Sequence, residues 1–392
     1  MRIALISFNQ PERGTWFRAY AFGRELARRG HTVTLMATDP HSRSCFNLEL
    51  REQQRLALVN APDLLPGSLR SGWDPWAGAA RSAWLTAANY DLIHAFDCRP
   101  TAILPALIAA RRADVPLVID WSDWFGRGGS VEERPPGAAR TLLRPIETFF
   151  EERFRSAAAA TTAINRVLAD KARELGVPAH TIHVLRNGCD PTASGPVEAP
   201  EIVRRQLDLP GDAPLIGYVG SIFARDSHLL AEAFMQLRAV RPDARLILVG
   251  YVNIAIEELL DTPEAIIRTG PTDDATLRRY LRACNLAWAP LTDSGANRGR
   301  WPLKLSTYME LGLPFVTSAI GDLGPFLAEY PAGLAITPTA AGYAEISLRL
   351  LNDPAQAAIL GATGKRLAAG ELSWASMTDQ LERIYLDVLQ QR

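Results

Sequence analysis

The sequence predicts an α/β protein built from two doubly wound domains with parallel sheets, and three observations support this prediction. Short apolar runs alternate with amphipathic stretches of helical length, which is the pattern of βαβ units. The alternation runs through residues 2–186, stops in a proline-rich stretch at 189–201, and restarts at residue 215. At 392 residues the chain is long enough to build two hydrophobic cores of ordinary size.

The first half of the chain begins with a short apolar run at residues 2–8, as expected for a strand that is buried on both faces of a sheet. An amphipathic helix follows and ends at Gly30. The turn signal Asn187-Gly188 closes this half. The predicted strands are 2–8, 31–37, 91–94, 116–120, 159–164 and 182–186, and the predicted helices are 16–29, 101–112 and 145–157.

The second half repeats the same rhythm after a stretch that holds three prolines and no periodicity. Its predicted strands are 215–219, 245–249, 266–268, 286–289 and 314–317, and its predicted helices are 228–239, 274–283, 304–311 and 373–389. The predicted organisation is therefore a domain at 1–188, a linker at 189–201, a second domain at 202–372 and a final helix within 373–392.

Composition excludes several classes of function. The net charge of −1 provides no general attraction to nucleic acid, and no apolar run approaches the length of roughly 20 residues that spans a bilayer. The start of the chain is typical of a strand, not of a signal peptide. Four scattered cysteines show no metal-ligand spacing, so we expect a cytoplasmic protein with no bound metal and no cofactor.

Trp73, Trp76 and Trp84 lie close together in the first half, and two interpretations stay open. They form either a surface that faces an acceptor or the inner face of the membrane, or ordinary partly buried packing.

A dinucleotide-dependent oxidoreductase is not supported, because neither half has a G-x-G-x-x-G turn after its first strand and the first loop offers only Gly14. The second half instead has Gly220 and Ser221 directly after a strand and shortly before a helix. Backbone amides in that position bind phosphate, although a plain turn between a strand and a helix explains the same residues.

The strongest candidate for phosphate binding is the segment 296–312, ANRGRWPLKLSTYMELG. Pro302 suits the first turn of a helix, and Arg300 and Lys304 are four residues apart, so they are expected to share one helix face. Helix-start amides with two cations form a receptor for a diphosphate. Only three of the 42 basic residues are lysines, which draws attention to Lys304; a solvated basic turn is the alternative.

In the first half, Asp120 and Asp123 follow a predicted strand. A carboxylate in that position can orient an acceptor hydroxyl or take its proton, whereas helix capping and a buried hydrogen bond are the structural alternatives. The loop that follows contains Arg127 and Gly128 and is a candidate for acceptor or phosphate contact.

Three further residues of the first half are candidates for acceptor or phosphate contact, and the first is Gly14 in the loop after the first strand. Arg18 lies on the first helix, after the Gly14 loop, and can reach an anion from there. His94 lies at the end of a predicted strand, where a single histidine is more often structural than functional.

Several segments in their order and spacing resemble glycosyltransferase family 4, the retaining enzymes of GT-B fold. The resemblance extends over nearly the whole chain and rests on GRELARRGHTVTL, YDLIHAFD, GVPAHTIHVLRNGCDP, GYVGS and above all RWPLKLSTYMELGLPFVTS. It implies two Rossmann-like domains that face a central cleft, with the acceptor on the first domain and the nucleotide sugar on the second. It also implies that the final helix crosses back to the first domain.

The sequence departs from the family pattern at the donor site. The two glutamates that family members usually carry around the donor helix correspond here to Gly299 and Thr307. The usual arginine and lysine after the first strand of the second domain fall on Ser221 and near Asp226, and a usual histidine falls near Ser122. The resemblance is therefore to a variant branch in which Asn297, Arg300, Pro302 and Lys304 form the pattern N-x-x-R-x-P-x-K.

The resemblance implies transfer of a sugar from a nucleotide diphosphate sugar to a hydroxyl group of a carbohydrate, lipid-linked or small-molecule acceptor, with retention of configuration. Two alternatives remain. One is a non-catalytic homologue that binds a sugar nucleotide or a partner enzyme, which the substituted donor residues motivate. The other is a different GT-B enzyme such as a sugar-nucleotide epimerase.

Overall fold

A computed structural model describes residues 1–194 and 198–391 and divides the chain into two compact units. Unit 1 comprises Met1–Asn187, Gly299–Trp301 and Trp374–Arg392, and unit 2 comprises Gly188–Arg298 and Pro302–Ser373. Each unit has its own sheet, accompanied by helices. The predicted fold class, two doubly wound α/β domains, is therefore confirmed.

The strands alternate with helices along most of the chain. The strands are β1 Arg2–Ser7, β2 Thr32–Thr38, β3 Asn47–Arg51, β4 Leu56–Ala61, β5 Leu92–Phe96, β6 Leu117–Trp121, β7 Ala160–Ala163, β8 Ile182–Val184, β9 Leu215–Val219, β10 Arg245–Val249, β11 Ile266–Gly270, β12 Leu286–Ala289, β13 Phe315–Ser318 and β14 Leu334–Ile336. The helices are α1 Trp16–Arg28, α2 Pro75–Thr86, α3 Pro100–Ala113, α4 Ala138–Arg153, α5 Arg166–Glu174, α6 Pro200–Gln206, α7 Ala224–Val240, α8 Asp274–Arg282, α9 Gly295–Arg298, α10 Leu303–Leu311, α11 Leu323–Glu329, α12 Ala340–Asn352, α13 Pro354–Ala369 and α14 Trp374–Gln390.

The sheet of unit 1 has the strand order β3-β4-β2-β1-β5-β6-β7-β8 in the described residues. Its strands are parallel, except that β3 pairs antiparallel with β4 at one edge. The chain runs from β1 toward one edge and then returns to β5 on the other side of β1. This point of reversal is where open α/β sheets bind ligands, beyond the carboxyl ends of the strands.

The β3–β4 pair is a feature that the sequence analysis did not predict. Every residue of β3 is exposed, including Leu48 and Leu50, so no buried face produces an apolar run. The start of α4 was also placed wrongly, since Pro145 lies inside the helix instead of at its first turn. Pro145 is exposed, and the carbonyl that loses its intrahelical partner to a proline can be hydrated at such a surface.

The last helix, α14, belongs to unit 1. Its buried residues Trp374, Leu381 and Tyr385 join the core formed by α1, β1 and β2, and Trp374 packs edge-on against Phe22 at 5.1 Å between ring centroids. Arg29 anchors the outer side of the helix through Glu382, with 3.0 Å between their side-chain atoms. Helix α14 therefore completes one face of the unit 1 core.

Unit 2 has a parallel sheet with the strand order β11-β10-β9-β12-β13-β14 in the described residues. The reversal lies between β9 and β12, so the ligand-binding position of this unit is expected beyond the carboxyl ends of those two strands. Helix α10 ends at Gly312, whose φ of 65° is the left-handed conformation that commonly terminates helices.

The segment predicted as a linker, 189–201, groups with unit 2. It contains a short 3-10 helix at Pro191–Ser194 and leads into α6 at Pro200, and its residues 195–197 lie outside the described residues. Among the described residues, no helix has the length and apolar character that crossing a bilayer requires.

Candidate functional site

Asp97 occupies the point of reversal in unit 1, directly after β5. Its carboxylate accepts a hydrogen bond of 2.8 Å from the hydroxyl of Thr15, which lies in the loop after β1. It also accepts bonds from the backbone N–H of Ser122 at 3.3 Å and the Ser122 hydroxyl at 3.1 Å, after β6. Asp97 thus ties together the ends of three strands.

The backbone of Asp97 is strained. Its φ is +64°, a left-handed conformation that few non-glycine residues adopt. Asp97 is fully buried, and burial raises the pKa of its carboxyl group to about 6, with the neighbouring Asp120 contributing in the same direction. Strained backbone and a perturbed pKa both occur preferentially at functional sites.

Asp123 lies one residue beyond the Asp97 contacts and is only partly buried. Its carboxylate makes no hydrogen bond to another residue in the described part of the chain. Loss of hydration in these crowded surroundings raises the pKa of Asp123 to about 7, and repulsion from Asp97 adds to the effect. Arg300, which groups with unit 1, opposes the rise in pKa. An accessible carboxyl group with such a pKa can accept a proton near neutral pH.

Asp120 and Arg18 form a buried ion pair. The Nε and Nη2 atoms of Arg18 donate to the two carboxylate oxygens of Asp120 at 3.0 and 2.9 Å. The remaining donors bond to the carbonyls of Leu185 and Arg186 and to the Asn187 side chain. Every N–H of Arg18 is therefore used within unit 1, which leaves none for the predicted contact with a phosphate or an acceptor.

His94 is a core residue. It is fully buried, and Nδ1 lies 2.6 Å from the hydroxyl of Tyr385 on α14. Burial lowers the pKa of His94 to about 3, so the ring stays neutral. Its role is to join β5 to α14, and the predicted ligand contact is not supported.

The loop 126–129 was predicted to contact an acceptor or a phosphate. Its backbone amides, however, are already bonded within the protein. The Glu151 carboxylate already accepts bonds from Phe125 N–H at 2.7 Å and Gly126 N–H at 2.6 Å. The N–H of Arg127 donates to Thr148, and that of Gly128 to Glu132. The anion that this loop suits is therefore Glu151, and only the exposed Arg127 side chain remains available to contact a ligand.

The loop between β1 and α1 is shaped by Gly14 and Asn9. Gly14 is exposed with φ of +50°, and an added Cβ would lie 2.9 Å from the Asn9 side chain. The side-chain oxygen of Asn9 accepts a bond from the N–H of Thr15, whose hydroxyl donates to Asp97. Gly14 therefore allows the turn that brings Thr15 to Asp97.

The unit 2 site is built around the end of β9. Gly220 has φ of +81°, and no atom lies within 4 Å of the position that a Cβ would occupy. Ser221 is exposed, and its N–H makes no hydrogen bond among the described residues. The Lys304 ammonium lies 3.4 Å from the Ser221 carbonyl oxygen and 3.8 Å from the centre of the Tyr218 ring. The structure thus brings Gly220, Ser221 and Lys304 together beyond the carboxyl end of β9.

Asn297 helps to hold the loops at the carboxyl end of β9, and no N–H of its side chain remains to bind a donor substrate. Its side-chain nitrogen donates to Asp226 at 3.0 Å and to the carbonyl of Thr292 at 2.8 Å, and it is almost fully buried. Asp226 also accepts bonds from the N–H and hydroxyl of Thr292, both at 2.7 Å. Asp226, on α7 after β9, therefore holds the loop that follows β12.

The prediction that Arg300 and Lys304 share a helix face is wrong. Helix α10 begins at Leu303 with Pro302 as its N-cap residue, so Arg300 precedes the helix. Arg300 groups with unit 1, where its carbonyl accepts a bond from Asn165. Lys304 instead shares a face with Thr307, three residues later, whose hydroxyl makes no hydrogen bond to another described residue.

The three tryptophans of unit 1 have different surroundings. Trp73 packs against Phe150 and stacks under the Arg99 guanidinium, and Trp84 packs against Phe46. Only Trp76 presents a large exposed surface, at 49%. Across residues 1–194 and 198–391, no group of three or more His, Cys, Asp or Glu side chains is arranged to hold a metal ion.

Comparison with known proteins assigns the chain to a family. The profile of the glycosyl transferase 4-like domain matches residues 13–188, and that of glycosyl transferases group 1 matches residues 213–353. The chain is therefore a glycosyltransferase that contains these two domains in order. This glycosyltransferase is 24% identical to a glycogen synthase of Mycobacterium tuberculosis over 98% of its own length and 94% of that of the relative.

Solved structures share the fold of this glycosyltransferase. Sucrose-phosphate synthase from Thermosynechococcus elongatus superposes with a TM-score of 0.78 and 19% identity over the full length of both chains. HepE from Anabaena, solved in complex with UDP-glucose, superposes with a TM-score of 0.73 and 17% identity over 99% of this chain and 100% of its own.

Three residues of the site are not predicted from the sequence, namely Asp97, Glu151 and Tyr218. Asp97 ends the segment YDLIHAFD directly after a predicted strand, so its place in the sequence is a signal that was available. Glu151 and Tyr218 lie inside predicted elements, where no local signal marks a polar contact.

Proposed function

We propose that this glycosyltransferase moves a sugar from a nucleotide diphosphate sugar to an acceptor hydroxyl, with retention of anomeric configuration. The bond between the anomeric carbon and the diphosphate oxygen breaks, and a bond from the acceptor oxygen to the same carbon forms. The acceptor proton must leave, and the diphosphate must gain stabilisation for its developing charge.

Unit 2 is assigned the donor. The observation that carries the proposal is the position of Lys304, at the start of α10 and beside the Ser221 carbonyl at the point of strand reversal. A cation, an unbonded backbone N–H on Ser221 and the open Gly220 turn are the groups that bind phosphate oxygens. A charge-assisted hydrogen bond of this kind contributes about 1.5–3 kcal/mol.

Thr307 is assigned the nucleotide ribose. It lies one turn beyond Lys304 on α10, at the position where the resemblance implies a glutamate. Its unbonded hydroxyl can donate or accept one hydrogen bond to a ribose hydroxyl but carries no charge. We therefore infer a variant donor site in which the phosphate contacts of Lys304 contribute most of the affinity.

Unit 1 is assigned the acceptor, with Asp123 as the group that takes the proton of its hydroxyl. The carboxylate is partly exposed and unbonded, and its pKa of about 7 matches the demand on a general base at neutral pH. Arg300 keeps the charged form accessible by lowering this pKa. Asp120 is unsuited to the same task because Arg18 occupies both of its oxygens.

The similarity to HepE supports the donor class, since that protein was solved with UDP-glucose bound. No cofactor beyond the donor substrate is required, because the charge of the leaving diphosphate can be offset by Lys304 and backbone amides. The relatives act as carbohydrate-forming enzymes according to their names, which is consistent with a carbohydrate acceptor.

The first experiment measures thermal stabilisation of the purified protein by UDP, GDP, ADP and TDP. A nucleotide at 100 times its dissociation constant is expected to add about 2.7 kcal/mol of stability. The Lys304→Ala variant should lose about 10–100-fold in affinity, which corresponds to one charge-assisted bond. Lys365→Ala is the matched control, because Lys365 is an exposed lysine of α13 in the same unit.

The outcomes separate the candidate functions. Stabilisation by one nucleotide that Lys304→Ala removes and Lys365→Ala preserves supports the donor site and names the base. Binding without release of sugar from any matching donor would favour a non-catalytic homologue. An absence of stabilisation by all four nucleotides would contradict the proposal.

A further inference from the structure

Asp97 is the one buried acid at the unit 1 point of reversal that contacts loops from two other strands. Its bonds to Thr15 and Ser122 cross from β5 to the ends of β1 and β6. Thr15 is the N-cap residue of α1, yet its hydroxyl caps no helix N–H and donates to Asp97 instead. Helix capping by threonine stabilises a helix by about 1 kcal/mol, so the contact with Asp97 replaces a common stabilising interaction.

The contacts of Asp97 fix the residue directly before Asp123. Both the backbone N–H and the hydroxyl of Ser122 donate to Asp97, so the peptide that leads into Asp123 is held from two sides. Asp123 itself has no such restraint on its carboxylate in the described residues. The strained φ of +64° at Asp97 persists only where the surroundings enforce it, which indicates that this geometry is maintained for a purpose.

We propose that Asp97 is a positioning residue for Asp123, fixing the turn that carries it and placing a second negative charge beside it. The inference rests on the proposed role of Asp123 as the proton acceptor. A carboxylate held against another carboxylate gains a proton more readily, so Asp97 adapts Asp123 to accept a proton from a neutral hydroxyl.

The electrostatic surroundings of the pair come from several elements. The charged groups that act on Asp123 are Asp97 after β5, Asp120 on β6, Glu151 on α4 and Arg300. Arg155, which follows α4, lowers the pKa of Asp97. Burial raises the pKa of Asp123 most strongly, and Asp97 is the next largest cause, so Asp97 is the single residue whose charge should affect Asp123 most.

The test is the pH profile of sugar transfer in Asp97→Asn. Asparagine keeps the shape of the side chain and can still accept the bond from Ser122, but it removes the negative charge. Without the charge of Asp97, the pKa of Asp123 should fall, because less repulsion opposes its ionisation. We therefore expect the pH of half-maximal transfer on the acidic side to fall by about one unit, a modest effect for neighbouring charges. Nucleotide affinity, which belongs to unit 2, should stay within twofold of the wild type.

Two further measurements keep the inference open to contradiction. The carboxyl carbon of Asp123, identified in labelled protein by its loss in Asp123→Asn, reports the same titration without any turnover. In Ser122→Ala the charge of Asp97 remains, so the titration should stay near that of the wild type while transfer slows. An Asp97→Asn variant with an unchanged titration midpoint for Asp123 would overturn the inference, even if its activity were lower at every pH.

This design distinguishes the inference from the proposed function. Wild-type transfer by Asp123→Asn would refute the role of Asp123 as the proton acceptor, and with it the purpose of the positioning. Loss of transfer in Asp123→Asn with no shift in Asp97→Asn would refute only the role of Asp97. If Asp97→Asn does not fold, the Asp97→Gly variant, which also removes the charge and suits the φ of +64° at this position, should lower the Asp123 titration midpoint, and an unshifted midpoint would count against the inference.

Discussion

Each unit has a buried aspartate near its point of strand reversal, and the two aspartates are used in opposite ways. In unit 1, Asp97 lies at the reversal between β1 and β5, with the unbonded carboxylate of Asp123 close by. In unit 2, Asp226 serves the reversal between β9 and β12, and Thr292 and Asn297 saturate its oxygens. One unit therefore presents an additional negative charge, whereas the other uses its acid only to hold a loop.

The basic residues Arg18 of unit 1 and Lys304 of unit 2 also differ in their surroundings. Arg18 of unit 1 spends all its donors on Asp120 and on backbone and side-chain oxygens, and no part of it remains for a ligand. Lys304 of unit 2 lies at the edge of the sheet beside Ser221. A shared architecture thus suits the two proposed chemistries, proton acceptance in unit 1 and phosphate binding in unit 2, because the charge at the strand ends has opposite sign.

The largest expected effect concerns the buried ion pair of unit 1. Asp120→Ala leaves the guanidinium of Arg18 buried without its counter-charge, and such a change costs about 3–5 kcal/mol. Urea unfolding, followed by a probe in unit 1, measures the loss. The matched change in unit 2 is Asp243→Ala, which breaks an exposed pair with Arg241 and should cost less than about 1 kcal/mol. Equal losses would show that the Arg18 pair does not organise unit 1.

A smaller effect is expected at the Gly220 turn of unit 2. Gly220→Ala introduces no clash but forces alanine into φ of +81°, at a cost of about 1–2 kcal/mol. The new methyl group should also weaken nucleotide binding, because it occupies the space where the backbone approaches phosphate. Gly30→Ala is the control, since Gly30 has φ of +93° and equally open surroundings in unit 1. Loss of affinity in both variants would place the effect in folding, not in the site.

The smallest effect concerns the pH dependence of stability at Asp123. Its pKa is raised to about 7, so the folded protein tolerates the protonated form of Asp123 better than the charged form. The stability of the fold is therefore unaffected by this group below the unfolded pKa of about 4, and it decreases as the pH rises from there through 7. Asp123→Asn removes this penalty, which a rise of about three pKa units would set at no more than about 4 kcal/mol. Solvent screening at this partly exposed carboxyl group reduces it, so the variant should exceed the wild type by about 1 kcal/mol at pH 8.5 and match it near pH 4.

Denaturant unfolding at the two pH values measures the difference. Asp273→Asn is the control in unit 2, because a backbone hydrogen bond from Thr276 lowers the pKa of Asp273. That substitution should give no gain at the higher pH. A gain at Asp273 equal to that at Asp123 would contradict the contrast between the two units.

The sequence predicts the fold well because the buried strands and helices leave a pattern of apolar residues in the sequence. Residues 215–219 and 245–249, which apart from Arg245 carry no charge, form β9 and β10 with the predicted bounds. The exposed strand β3 and the early start of α4 escaped prediction, since neither depends on an apolar face that the pattern can reveal.

The candidate site is less predictable, because residue type does not disclose the partner. Asp120 and Asp123 are three residues apart and look alike in the sequence, yet one is bound to Arg18 and the other has an unbonded carboxylate. The partners of Arg18 lie about a hundred residues or more along the chain. Lys304, Gly220 and Ser221 were predicted at the donor site, and their proximity in unit 2 keeps that prediction in place.

The position of α14 has a consequence for synthesis on the ribosome. Unit 1 contains the first residues of the chain, but Trp374, Leu381 and Tyr385 complete its core only after about 190 further residues have been translated. At about 5–20 residues per second, the apolar face of α1 and β1 waits for about 10–40 s. The nascent chain is therefore expected to finish the later unit first, and the face awaiting α14 is the surface that chaperones would need to shield.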